Sequence, residues 1–129
     1  MKSKEIEVIV SRHFAECLAL PVFIVDPLGS LVYYNEPAED LLGKRFEDTG
    51  AMPVEEWSVL FRPEDEDGNP IPPESLPLVK TLNLQQPAHG SLYISSLTGD
   101  RHNISITSIP FIGRAGKFIA AVAIFWKNS

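Results

Sequence analysis

Asp26-Pro27-Leu28-Gly29-Ser30-Leu31-Val32-Tyr33-Tyr34-Asn35-Glu36-Pro37-Ala38-Glu39-Asp40-Leu41-Leu42-Gly43 holds three local structures in succession. The first four residues have turn chemistry, because proline presets φ for a turn and Gly29 tolerates a positive φ. Residues 30–34 are β-branched and aromatic, which predicts the returning strand of a hairpin. Its outgoing strand is the short apolar run 22–25, bounded by Pro21 and by Asp26-Pro27. Asn35 follows in the position of a helix cap, where its side chain accepts from the free N–H groups of the first turn. Pro37 sits where a helix tolerates proline, Gly43 is placed to stop the helix, and Ala38, Leu41 and Leu42 supply its buried side.

Upstream, residues 4–18 place Ile6, Val10, Phe14 and Cys17/Leu18 at helical spacing, which predicts an amphipathic helix ended by Pro21. The β-branched Val8, Ile9 and Val10 oppose that reading, since they lose rotamer freedom in a helix. Downstream, residues 44–74 are irregular: Trp57, Val59, Leu60 and Phe61 predict a short helix over 54–61, and 62–74 is rich in turn formers. A further helix is expected over 75–84, with Pro77 in its first turn and Leu78, Val79 and Leu82 facing inward. The last third reads as strands over 90–97, 101–111 and 117–126. Thr98-Gly99-Asp100 makes the tight turn between the first two. The continuous apolar run of the final strand implies cover on both faces of the sheet. Two early strands, a helical middle and three late strands predict an α+β fold: a five-stranded antiparallel sheet with helices on one face and an N-terminal amphipathic helix. The organisation expected is a helical segment over 1–19, serving as cap or dimerisation element, and one domain over 20–129.

The chain has 129 residues, 44% of them hydrophobic and 22% charged, enough for a single well-buried core. Its formal net charge is -6. An acidic domain repels phosphate backbones, which argues against nucleic acid as a partner. The acidity concentrates between Glu36 and Asp67, where Lys44, Arg45 and Arg62 are the only cations, and a solvated flank accounts for it. The lone Cys17 forms no internal disulfide, the start lacks the apolar run of a signal peptide, and no stretch nears the roughly 18 apolar residues of a membrane span. These features predict a cytoplasmic chain with no membrane partner.

Catalytic and metal patterns are sparse. There is no phosphate-binding glycine loop, no HExxH and no Gly-x-Ser-x-Gly elbow. His13, His89 and His102 lie far apart in sequence, so no metal site is assigned; His89 and His102 on neighbouring strands are the one pairing to check. Cys17 lacks an adjacent base and reads as a packing residue on its helix. No catalytic residue is assigned, and the chain is expected not to be an enzyme.

The 26–43 stretch resembles the opening of PAS domains, with Asp26 and Gly29 in the first hairpin, Asn35 capping the next helix and Gly43 closing it. Residues 67–78, Asp-Gly-Asn-Pro-Ile-Pro-Pro-Glu-Ser-Leu-Pro-Leu, are similar to the segment leading into the long helix of PAS modules in bacterial signalling proteins. Ser108-Ile109-Pro110 near the close of the penultimate strand adds to the likeness, which spans roughly residues 18–126. The resemblance implies a sensory or interaction module, of the kind found in two-component systems, that binds a small molecule, pairs with a second copy or regulates an attached or partner effector. Departures narrow that implication. Flavin-based light sensing needs a cysteine motif within the domain, and the only cysteine precedes it. Haem-sensing relatives commonly use a histidine on the long helix, and 75–84 has none. Photoactive flavin and helix-ligated haem are therefore not expected, and the cofactor is left unassigned.

Strand alternation places Phe23 and Val25 toward the helices, together with Leu31 and Tyr33 or their neighbours. Trp57, Leu78, Val79 and Leu82 close that space over a floor of Ile104, Ile106, Ala121 and Ala123. It is either a ligand pocket with an almost wholly apolar lining or a filled core. The opposite face carries the alternates Phe118, Val122, Ile124 and Trp126, and Ile6, Val10 and Phe14 are expected to cover it. A homodimer there would use Ile6, Val10, Phe14, Ile124 and Trp126. Two rivals to a ligand sensor stand: a structural adaptor with a solid core, and a small enzyme with a Glu or His base at the pocket.

Overall fold

The computed structural model describes residues 19–128. The expected N-terminal helix, with Ile6, Val10, Phe14 and Cys17, lies outside them. Strands β1 (Val22–Val25) and β2 (Leu31–Tyr34) form the opening hairpin. Three helices follow, α1 (Glu36–Leu42), α2 (Phe46–Thr49) and α3 (Val54–Leu60), then a single 3-10 turn at Pro73–Ser75 and helix α4 (Pro77–Leu84). Strands β3 (Ala88–Ser95), β4 (Arg101–Ile112) and β5 (Phe118–Lys127) complete the domain. The sheet order is β2-β1-β5-β4-β3, every neighbour antiparallel. The hairpin thus docks beside the last strand, and residues 36–84 cross one face of the sheet from its β2 edge to its β3 edge.

The 26–43 stretch folds as its chemistry dictates. Asp26 Oδ1 accepts from the N–H groups of Leu28 and Ser30, both at 3.0 Å, and Gly29 takes φ 93°. Asn35 caps α1, its Oδ1 accepting from the Ala38 N–H at 3.2 Å. Gly43 ends the helix at φ 76°, ψ 24°, the left-handed region that a side chain resists. Helix α2 was not expected. It rests on a contact seven residues long in sequence, Glu39 Oε2 accepting from the Phe46 N–H at 2.8 Å. Residues 63–72 form the expected irregular segment, but one point of it joins the sheet. Glu64 and Tyr93 exchange backbone hydrogen bonds, both at 2.9 Å, which covers part of the exposed β3 edge.

Two β-bulges revise the alternation. Ile24 pairs with Tyr33 but Val25 pairs with Leu31, so Val32 is the extra residue on β2. Leu31 and Tyr34 therefore face the helices, while Val32 and Tyr33 face away. The second bulge lies at β5, where Phe111 pairs with Ala120 and Ile112 with Phe118. An extra residue flips the side chains beyond it to the other face. Phe118 consequently packs against the helix-side core rather than lining the outer face with Val122 and Ile124.

The two faces have separate apolar clusters. The helix side gathers Phe23, Val25, Leu31 and Tyr34 with residues of the helices and of β3–β5. The outer side joins Val22, Ile24, Ile119, Ala120 and Val122, all buried, with Ile109, Phe111 and Ile124 partly buried around them. Among the described residues, no helix is long and apolar enough to cross a membrane.

Candidate functional site

A cavity lies on the helix side, between the centre of the sheet, α3 and the start of α4. Six residues expected at a pocket line it: Phe23, Trp57, Leu78, Ile104, Ile106 and Ala123. Val25, Leu31, Val79 and Ala121 belong instead to the packed core around it, and Leu82 packs half-buried against that core. They fill space that the sequence reading left open. The reading also missed several wall residues. Phe125 is the next inward position after Ala121 and Ala123 on β5, and Leu92 and Ile94 are the inward pair on β3. Continuing the alternation along each strand finds all three. Leu42 and Phe61, four residues after Trp57, extend the inward sides of their helices to the cavity, whereas Leu76 comes from the turn before α4, where no periodicity marks it.

Aromatic rings shape one wall. Phe23 meets Phe125 edge-on, with centroids 5.0 Å apart, and Phe61 at 6.4 Å. Trp57 enters from α3 with its indole N–H already engaged, donating to the Gly29 carbonyl at 2.8 Å. That bond ties the first hairpin turn to the cavity's lid. Helix α4 is fixed over the sheet by a buried polar pair: Thr81 Oγ1 and Ser108 Oγ lie 2.6 Å apart, and the Ser108 hydroxyl donates to the Pro77 carbonyl at 2.9 Å. Both groups are fully satisfied, so they hold α4 in place and offer nothing to a ligand.

The volume is about 70 Å³. One water needs roughly 10–15 Å³ on this kind of measure, and pockets for drug-sized ligands run to about 300–1,000 Å³. The space therefore suits a small molecule. The lining is apolar with one exception. Ser58 sits mid-α3, 2% exposed, and among the described residues its hydroxyl is the one buried side-chain polar atom without a hydrogen-bond partner. A serine inside a helix ordinarily returns its hydroxyl to the carbonyl one turn back. This one does not, and an unmade bond in a buried site costs about 1–3 kcal/mol.

Other polar positions are structural. Tyr34 donates to the Lys44 carbonyl at 2.9 Å, and burial pushes its phenol above the ordinary range while the Thr49 hydroxyl pulls it back. His89 stands opposite Thr107 on β4, five positions from His102, which is roughly 17 Å along a strand. The two histidines cannot share a metal ion. His89 hydrogen-bonds Thr107 instead, at 3.1 Å. Among the described residues there is no group of three metal-ligating side chains. On the outer face Ile124 is half-buried, while Trp126 stands 40% exposed beyond it.

No model of a known protein family matches the chain, and no curated protein matches it. Solved structures do. A PAS domain from Colwellia psychrerythraea superposes with a TM-score of 0.65 at 16% identity, covering 94% of this chain and 97% of that one. The fold is that of a PAS domain. A PAS domain from a two-component sensor histidine kinase aligns over 96% of this chain and 98% of its own, at 10% identity and a TM-score of 0.61. The LOV protein of Rhodobacter sphaeroides gives a TM-score of 0.73 at 16% identity, over 98% of this chain and 68% of that one. At such identities the shared property is the backbone plan. In this chain that plan uses the capping Asn35 and the left-handed Gly29 and Gly43.

Proposed function

We propose that this chain is a sensory module of signal transduction, which takes a small, mostly apolar molecule into the cavity under α3 and α4. The cavity carries this reading: an apolar space several waters in size, walled by rings and branched side chains, where among the described residues every other buried side-chain polar atom has a partner. Fold neighbours from a sensor histidine kinase and a LOV protein support signalling as the context. The wall offers no acid or base within it, which disfavours the enzyme reading. The small volume keeps the ligand-free adaptor as the rival.

The output would pass through the outer face of the sheet. Ile124 packs against its apolar cluster, Trp126 is exposed two residues further along β5, and Ile6, Val10 and Phe14 have the spacing to cover this face, from the same chain or from a second copy. A homodimer formed there would couple the sheet to an attached or partner effector in the cytoplasm. Photoactive flavin is not part of the proposal, since the described residues contain no cysteine.

Native mass spectrometry of the purified full chain tests both parts. A dimer peak, carrying an extra bound mass that is released on unfolding, is expected. The Ile6→Asp, Phe14→Asp double variant should run as monomer. A bare chain with no added mass would favour the adaptor, and a double variant still dimeric would remove the interface.

A further inference from the structure

Ser58 gives the cavity a direction. Its hydroxyl is buried and unpartnered in a wall otherwise built from hydrocarbon side chains and one tryptophan whose N–H is spent on Gly29. A serine kept inside a short helix next to Trp57, without the usual bond to its own backbone, lowers stability as it stands. A hydrogen-bonding group brought in by a ligand would relieve that. The opposite wall, Ile104, Ile106, Ala123 and Phe125 on the sheet, has no side chain able to hydrogen-bond.

We infer that Ser58 is the polar subsite of the cavity, and that the ligand class is a compact apolar body carrying one hydrogen-bonding group at its rim. The group meets Ser58 Oγ on α3 while the body lies against the β4 and β5 side chains. A hydroxyl serves as donor or acceptor, so a phenolic or alcoholic O–H and a carbonyl are both accommodated. An ionised group is excluded, because no counter-charge lines the site. This inference rests on the reading of the cavity as a ligand site and goes beyond it by naming the contact that selects among ligands.

Ethanol and propane separate the two ideas, since they match in shape, differ in one hydroxyl and are small enough for a space of about 70 Å³. Binding of each is measured by NMR titration of the full chain and of Ser58→Ala. Comparing the ethanol-to-propane affinity ratio between the two proteins cancels the different hydration of the probes. The ratio should fall about tenfold in Ser58→Ala, the effect of one well-made hydrogen bond to a buried group. Propane binding with an unchanged ratio would overturn the Ser58 subsite and leave the cavity reading standing. Binding of neither probe to the wild-type chain would overturn both.

Discussion

Asn35 and Ser58 are both small, polar and buried, at 1% and 2% exposure, yet they sit in opposite states. Asn35 joins three parts of the chain. Its Oδ1 accepts from Val22 and Ala38, and its Nδ2 donates to the Leu20 carbonyl at 2.9 Å. One side chain thus caps α1, pins the start of β1 and holds the residue before Pro21. Ser58 holds nothing. The folded chain alone accounts for the polarity of Asn35, since removing it strands the buried Val22 and Ala38 N–H groups, which have no water to turn to. It does not account for the polarity of Ser58, where alanine would serve the fold better. The difference separates a residue that makes the PAS scaffold from one whose polarity the fold itself does not require.

Substitutions test that separation from both sides. Asn35→Ala should cost about 2–4 kcal/mol, because it breaks the cap and leaves the buried Val22 N–H unpaired. Chemical denaturation measures it, and a loss near zero would mean the hub is not what joins hairpin to helix. Ser58→Ala should act in the other direction. It removes an unsatisfied hydroxyl and improves helix propensity, so the unliganded chain should gain about 1 kcal/mol. Destabilisation of that size instead would show that Ser58 has a structural partner, and the contrast with Asn35 would collapse.

Much of the scaffold was readable from sequence because it is local. The Asp26–Gly29 turn, the Asn35 cap and the Gly43 stop each depend on residues within a few positions, and each formed where its chemistry placed it. Alternation identified the inward residues wherever the ladder is regular, as at Phe23, Ile104 and Ala123. It misplaced Phe118 and left Tyr33 and Tyr34 unresolved because of bulges, which add a residue without leaving a mark in hydrophobicity. Cap formation by Asn35 was legible, whereas its bonds to Val22 and Leu20 are products of tertiary packing. Ser58 was not legible at all. It lies between Trp57 and Val59 in a helix expected for its apolar neighbours, and only the packed structure shows that its hydroxyl is left alone. The same holds for part of the cavity's extent, since Leu76 reaches it from the turn before α4, outside any periodic pattern.

Methyl NMR of the full chain with propane tests whether the space beneath α3 and α4 admits a ligand. Shifts and intermolecular contacts concentrated on Leu78, Ile104, Ile106 and Ala123, with Val22, Ile24 and Val122 on the outer face undisturbed, are the predicted result. A spectrum unchanged at saturating propane, or one altered only on the outer face, would contradict it.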